Sequence, residues 1–170
     1  MEKSNTRELA EIAIIVALSV VLNQIIVYRM PQGGSITLGS MVPIMILSMR
    51  RGVKVGVLGG TVFGLVQMVI EGYIYYPLQI ILDYPLAFAC LGLAGFFKKL
   101  PPLGAVVAIA GRFVCHFVSG FYFFGEYAPA GMNPVVYSAM YNGSYLLPEA
   151  IISAVLIYFV WKKAPQTFTV

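Results

Sequence analysis

Charged residues are scarce in this chain, which has eleven Lys and Arg and seven Asp and Glu among 170 residues, or 11%. A soluble domain carries about 25% charged residues. Hydrophobic residues make up 59% of the sequence, and the mean hydropathy is +0.85. This balance excludes an ordinary soluble domain and predicts an all-α integral membrane protein, one domain over residues 1–170 that contacts the lipid bilayer.

Motifs for several kinds of chemistry are missing. No Lys-Ser or Lys-Thr follows a glycine run, so the chain lacks a Walker phosphate-binding loop and is not expected to hydrolyse ATP by itself. Cys90 and Cys115 have neither disulfide nor metal-site spacing, and we interpret both as free thiols. The sequence predicts no metal site, no cofactor, no removable signal peptide and, with a net charge of +4, no nucleic-acid partner.

Long apolar runs are plentiful instead. A membrane span needs about 20 apolar residues at a rise of about 1.5 Å each. Six runs approach that length, over residues 10–28, 35–49, 53–70, 77–97, 103–124 and 137–161. The second is short and follows a turn-rich lead over residues 31–34, so that alone it could be a re-entrant segment.

Charge placement favours six crossings. The loops on one side then hold only Arg29, Glu71 and Glu126. Nine of the eleven Lys and Arg residues fall on the other side: Lys3, Arg7, Arg50, Arg51, Lys54, Lys98, Lys99, Lys162 and Lys163. Because basic loops stay in the cytoplasm, the sequence predicts a six-helix transmembrane bundle with both termini cytoplasmic.

Small residues recur at helical spacing in two spans. The third span carries glycines four residues apart, which predicts a face that a neighbouring backbone approaches closely: Gly52, Gly56, Gly60 and Gly64. In the first span, Ala13 and Ala17 form a small-xxx-small pair. Spacing alone favours internal packing for this pair over a docking face for another membrane subunit.

Asp83 is the only charged residue within the apolar run 77–97. A carboxylate there costs roughly 2.5 kcal/mol or more unless it faces the protein interior or a partner, so its default interpretation is functional. Counted along the helices, Asp83 lies about 9 Å, His116 about 12 Å and Asn142 about 8 Å below the outer surface. Aromatic residues flank this level: Tyr73, Tyr84, Phe124, Tyr137, Tyr141 and Tyr145.

This convergence predicts an outward-opening pocket for a flat, positively charged, hydrogen-bonding molecule. A carboxylate supplies a charge-assisted acceptor, aromatic faces attract a cation, and amide and imidazole groups bind a heterocycle edge. We expect Tyr76, Tyr122 and Tyr127 to be interfacial belt residues instead. The deeper charges, Arg112 and Glu149, are predicted to form a structural ion pair, with a proton path as the alternative.

Five segments in order carry a family resemblance: MPQGGS at 30–35, MRRGVK at 49–54, LDY at 82–84, CHFVSG at 115–120 and YSAMYNG at 137–143. Together they resemble the thiamine-specific substrate-binding subunit (S-component) of energy-coupling-factor transporters. The resemblance implies capture of thiamine outside a bacterial plasma membrane, without catalysis. It also implies a transmembrane coupling protein and two cytoplasmic ATPase subunits as partners, which alone use ATP.

The resemblance also implies roles for individual residues. Asp83 corresponds to the acid that contacts the aminopyrimidine of thiamine. The loop 29–37 corresponds to the lid, and Ala13 and Ala17 to the motif that docks the coupling protein. The remaining matches are pocket residues, with Phe124 standing where relatives can have Trp: Tyr73, Tyr84, His116, Phe124, Tyr137 and Asn142.

Other functions stay open from the sequence. An S-component for another cationic or heterocyclic vitamin would use a similar pocket. A stand-alone proton-coupled transporter would use Asp83, Arg112 and Glu149 as a relay. An intramembrane enzyme is the weakest alternative, because His116 has no evident nucleophile or metal-ligand partner at its depth.

Overall fold

The computed structural model describes residues 2–169, with side chains described from Thr6 onward. Lys3, one of the basic residues behind the predicted topology, lies outside those described side chains. The described helices are α1 Glu2–Asn23, α2 Val42–Arg51, α3 Val53–Glu71, α4 Pro77–Phe97, α5 Pro101–Phe123 and α6 Pro134–Lys163. Strands β1 Ile26–Arg29 and β2 Ser35–Thr37, and short 3-10 turns at Gly125–Tyr127 and Pro165–Phe168, complete the elements.

The protein is mostly helical and membrane-embedded. Within residues 2–169, four helices are long and apolar enough to cross a bilayer, namely α3, α4, α5 and α6, with 19 to 30 residues each. Helix α2 has only ten residues. At about 1.5 Å per residue it spans about 15 Å, which is half of a hydrocarbon core of about 30 Å. It lies inside the bundle, because seven of its ten side chains are buried.

The first two predicted helices, 10–28 and 35–49, are wrong at the ends that face each other along the chain. Residues 26–29 and 35–37 are not helical but form an antiparallel pair, with Ile26 opposite Thr37 and Arg29 opposite Ser35. We call residues 26–37 the hairpin. The β-branched run that follows Asn23 favours a strand over a helix. Helix α2 starts only at Val42, because Gly39 has a φ of +78° and Pro43 fits the first helical turn.

Helices α3 and α4 approach closely through glycine. A Cβ atom on Gly64 would lie 2.5 Å from the carbonyl oxygen of Tyr84, and one on Gly60 would overlap the carbonyl of Phe88. The prediction of a close backbone approach therefore holds for these two positions. It is wrong for Gly52, which has a φ of +100° between α2 and α3 and would meet nothing within 4 Å.

Helix α4 is irregular where it carries Asp83. Residues Leu82–Leu86 form a π-helical turn, and Cys90–Phe97 continue as a 3-10 helix. Pro85 lies inside the π turn. Proline has no N–H to donate to the preceding turn and its ring crowds the carbonyl there, so the helix widens locally. Asp83 and Tyr84 thereby project from the widest part of the helix.

The core fills the middle of the bundle, leaving a space at one end. Fully buried side chains of α2 pack against the long helices: Met45, Leu47 and Met49 with Phe63, Leu91, Ile109 and Ile157. Cys90 of α4 and Cys115 of α5 are both free thiols, and their sulfur atoms lie 3.9 Å apart. The space remains where the ends of α1 and α3 meet the start of α4, the end of α5 and the start of α6.

Candidate ligand-binding site

A cavity of about 300 Å³ occupies this end of the bundle, beneath the turn of the hairpin. Its walls come from the hairpin and from α1, α3, α4, α5 and α6. It is lined by all seven residues that the sequence predicts to bind ligand: Tyr73, Asp83, Tyr84, His116, Phe124, Tyr137 and Asn142. The structure thus brings these side chains together, and their contacts with a ligand stay a prediction.

Asp83 is held by three donors from two helices. Gln79 Nε2 donates to Asp83 Oδ2 at 2.7 Å, and Ser119 Oγ donates to the same oxygen at 2.9 Å. His116 Nδ1 lies 3.1 Å from the other oxygen, Oδ1. Only 15% of the Asp83 side chain is exposed. A carboxylate that has lost most of its contact with water needs hydrogen-bond donors from the protein, and these three partners supply them. The carboxylate is fixed between α4 and α5.

The proton on His116 can be placed from its neighbours. Arg112 Nε donates to His116 Nε2 at 3.1 Å. A guanidinium has donors only, so Nε2 must accept, and the proton of a neutral imidazole lies on Nδ1, facing Asp83. The Arg112 guanidinium also lies 4.1 Å from the centre of the Phe88 ring. Arg112, His116 and Asp83 therefore form one hydrogen-bonded chain along the cavity wall.

The predicted ion pair between Arg112 and Glu149 is wrong. Arg112 donates to His116 and to Met41 Sδ, whereas the Glu149 carboxylate accepts from Thr37. No salt bridge joins the two charges in the described part of the chain. The depth estimate located both along the membrane normal but could not tell which helix face each occupies. Arg112 lines the cavity.

The lining residues that sequence reasoning missed include three polar side chains next to Asp83 and His116: Gln79, Arg112 and Ser119. Gln79 precedes Asp83 by four residues, and Arg112 and Ser119 flank His116 at spacings of four and three. Residues three or four apart share a helix face, so this spacing from Asp83 and His116 could have identified them. Tyr127 is a further correction, because it lines the cavity instead of serving only as a belt residue.

Tyrosine rings form the outer walls. Tyr137 and Tyr141 are stacked, with ring centres 6.0 Å apart. The Tyr84 hydroxyl accepts from the backbone N–H of Tyr73 at 2.7 Å, which ties two lining rings together. These faces are rich in π electrons and suit a flat or cationic group.

Both polar atoms of the Asn142 side-chain amide form hydrogen bonds with other groups of the protein. Its Nδ2 donates to the carbonyl oxygens of Ser138, at 3.0 Å, and His116, at 3.2 Å. Its Oδ1 accepts from the Tyr145 hydroxyl at 2.8 Å. The residue is only 5% exposed. It therefore joins α5 to α6 and orients Tyr145.

The turn of the hairpin covers the cavity. The Tyr141 hydroxyl accepts from the backbone N–H groups of Gln32, at 3.2 Å, and Gly34, at 3.3 Å. A Cβ atom at Gly34 would lie 2.7 Å from the Tyr145 ring, and one at Gly33 would lie 2.6 Å from the Tyr73 ring. Only glycines let the turn lie this close to the aromatic walls, so this segment is in place to act as a lid.

The small-residue pair of α1 does not line the cavity. Ala13 and Ala17 are exposed on the outer side of the helix, beside Ile14, which is 68% exposed, and Leu18, which is 45% exposed. The pair does not take part in internal packing, which the spacing alone had favoured. An exposed small-residue face is compatible with lipid or with another membrane helix.

Comparison with known proteins gives consistent matches over most of the chain. Residues 9–169 match the family described as Thiamine transporter protein (Thia_YuaJ). The chain is 36% identical over 177 residues to "Thiamine transporter ThiT" of Bacillus subtilis (strain 168), covering 93% of this chain and 92% of that protein. It is 32% identical over 148 residues to a ThiT of Lacticaseibacillus paracasei, covering 75% and 74%.

A solved structure agrees with these sequence matches. The structure of ThiT from Listeria monocytogenes superposes with a TM-score of 0.88 at 27% sequence identity. The match covers 98% of this chain and 100% of that one. The likeness therefore extends over nearly the whole fold.

Proposed function

Because this chain belongs to the Thia_YuaJ family of thiamine transporters, which are not enzymes, we propose that it captures thiamine at the outer face of a bacterial plasma membrane. The observation that carries this proposal is the cavity at one end of the bundle, where a buried acid lies among aromatic rings beneath a closing turn. Thiamine offers a flat cationic thiazolium ring and an aminopyrimidine with polar edges, which match those two kinds of wall.

We further propose that the protein crosses the membrane six times, with both termini cytoplasmic. Charge segregation supports this topology. The second crossing would consist of β2 and α2 together, because α2 alone is too short. The hairpin turn and the cavity then face outward, as capture from outside requires.

In the proposed binding mode, Asp83 accepts from the amino group of the aminopyrimidine. Its carboxylate already lines the cavity, oriented by His116 and Ser119. The tyrosine walls, among them Tyr84 and Tyr137, would pack against the rings, the cationic thiazolium gaining most. Asn142 would act indirectly, by orienting Tyr145.

We propose that uptake depends on partner chains, since the sequence has no nucleotide-binding loop. A transmembrane coupling protein would dock on the exposed small-residue face of α1 around Ala13 and Ala17, where a second helix can approach closely. Two cytoplasmic ATPase subunits would then drive release to the inside.

The decisive experiment is a titration of the purified protein in detergent with thiamine, followed by calorimetry, with riboflavin and biotin as controls. Saturable binding of thiamine alone, at one site, is the expected result. Binding of another cationic heterocycle in its place would move the proposal to a different vitamin. Binding of none of them, together with uptake driven by a proton gradient, would support the relay transporter instead.

A further inference from the structure

Glu149 is a buried acid outside the cavity. It lies on α6 and is only 2% exposed. Its Oε1 accepts from the backbone N–H of Thr37 at 2.5 Å and from the Thr37 hydroxyl at 2.8 Å. Since that hydroxyl donates to Glu149, it accepts from the Ser40 hydroxyl, 2.8 Å away. The network joins the base of the hairpin, the link to α2, and α6.

The fold alone does not explain this acid. Its second oxygen, Oε2, has no hydrogen-bond partner among the described residues, and no salt bridge to it was found there. Replacing such a buried group by an apolar side chain of similar volume is often neutral or even stabilising. The feature that an apolar residue could not replace is the pair of hydrogen bonds to Thr37.

The hairpin is attached to α6 at two levels. Its turn is held by the Tyr141 hydroxyl and lies against the Tyr145 ring, and its base is held by Glu149. These three α6 residues recur every four positions, so they form a stripe about 12 Å long on one side of the helix. The turn contacts are two neutral hydrogen bonds at 3.2 and 3.3 Å, whereas the base contacts are shorter and go to a carboxyl group.

We propose that Glu149 is a positioning residue that anchors the base of the hairpin. The turn opens by leaving Tyr141, while the base stays on α6, and Glu149 thereby sets how far and how fast the lid moves. Glu149 acts on the ligand only through the hairpin. The expected effect on thiamine dissociation rests on the proposed function, whereas the expected effect on amide hydrogen exchange of the hairpin does not.

The test compares two substitutions at one position. Glu149→Leu removes the acceptor, and Glu149→Gln keeps an Oε1 acceptor for Thr37. The matched control is Ser153→Ala, which changes another fully buried polar side chain of α6 that has no hydrogen-bond partner among the described residues. Amide hydrogen exchange of the hairpin is measured without ligand, and thiamine dissociation is measured by displacement in stopped flow.

We expect Glu149→Leu to accelerate hairpin exchange and thiamine dissociation about tenfold, from the loss of hydrogen bonds to a carboxyl group. Glu149→Gln and Ser153→Ala should stay within about twofold of the unmodified protein. If Glu149→Leu does not fold, Thr37→Val keeps the backbone N–H contact with Glu149 and removes the hydroxyl contacts with Glu149 and Ser40. It should accelerate hairpin exchange about fivefold, which is outside the range of the controls.

Unchanged exchange in a folded Glu149→Leu protein overturns the proposal, as does unchanged exchange in Thr37→Val when that variant is used. Glu149→Gln exchanging as fast as Glu149→Leu also overturns it, because the acceptor would then not be what holds the hairpin. A protein that binds no thiamine refutes the proposed function, but its hairpin exchange still decides the role of Glu149.

Discussion

Two acids of the bundle, the mostly buried Asp83 and the fully buried Glu149, differ in almost every contact. Asp83 lies in a π turn, uses both oxygens and is held by side chains of α4 and α5 beside the cavity. Glu149 follows Pro148 inside α6 and uses one oxygen, which holds the base of the hairpin. Burial of an acid in an apolar helix therefore does not by itself indicate a ligand contact. The partners of each carboxylate distinguish a wall of the site from an anchor of its lid.

The largest effect should come from Asp83→Asn, which removes the charged acceptor in the cavity. Loss of a charge-assisted hydrogen bond of about 1.5–3 kcal/mol should weaken thiamine binding about 10- to 150-fold. Calorimetry provides the measurement, and Glu149→Gln is the matched control, with a change in Kd of less than about threefold. Equal losses of thiamine affinity in the two variants would show that the two acids do not differ in their contact with the ligand.

Gly64→Ala should disturb the π turn that carries Asp83 from the side of α3. The new Cβ atom would lie 2.5 Å from the Tyr84 carbonyl oxygen in the π turn, so α3 and α4 must separate. We expect a loss of about 1–3 kcal/mol in the free energy of unfolding, seen as a lower melting temperature.

The control for Gly64→Ala is Gly143→Ala on α6, where the nearest atom to a new Cβ is 4.0 Å away. This helix position should tolerate alanine or gain up to about 1 kcal/mol from its helix propensity. A destabilisation as large as that of Gly64→Ala would show that contact with the π turn is not the cause.

Tyr141→Phe sharpens the comparison on the lid side. It keeps the ring that stacks on Tyr137 and removes the acceptor for Gln32 and Gly34. From the lost hydrogen bonds we expect thiamine affinity to fall by about 0.5–1.5 kcal/mol, or roughly 2- to 12-fold. The dissociation constant for thiamine provides the measurement. Tyr122→Phe, at a side chain that is 71% exposed, should change nothing, and an equal loss there would argue against a lid contact.

The smallest effect should come from Ser119→Ala. Asp83 Oδ2 keeps its bond from Gln79 when the Ser119 hydroxyl is lost. We expect thiamine affinity to fall by no more than about fivefold, or about 1 kcal/mol, in the same titration. A loss as large as that of Asp83→Asn would instead indicate that the hydroxyl contacts the ligand directly.

Much of the site could be predicted from the sequence, because depth in a membrane is encoded in position along a helix. Asp83 and His116 were expected at one level, and their side chains lie 3.1 Å apart. The rotation of a helix about its axis is not encoded so directly, and Arg112 was therefore assigned to the wrong partner. Its spacing of four from His116 carried the missing information.

Hydropathy does not predict the hairpin, because its strands continue the apolar composition of the neighbouring helices, and only the β-branched residues 25–27 favour a strand. Ile26 and Val27 extend the first apolar run without a break, and the second apolar run, 35–49, begins at the first residue of β2. The difference lies in the pairing of the two strands, Ile26 with Thr37 and Arg29 with Ser35, and in the positive φ of Gly39. Such pairing depends on the folded chain and leaves little trace in average hydrophobicity.

The π turn of α4 has a consequence for how this helix tolerates insertions and deletions. A π turn holds one residue more than an α turn, so the segments before and after it are out of step by about 100° of rotation. Gln79 and Phe88 both line the cavity across this turn, although a regular helix would place residues nine apart on opposite sides. Deleting one residue from 82–86 would leave Gln79 and Phe88 eight apart, about 80° on a regular helix, so both would still face the cavity. The extra residue therefore acts locally, on how Asp83 and Tyr84 project, and leaves the two ends of the helix in the same relative orientation.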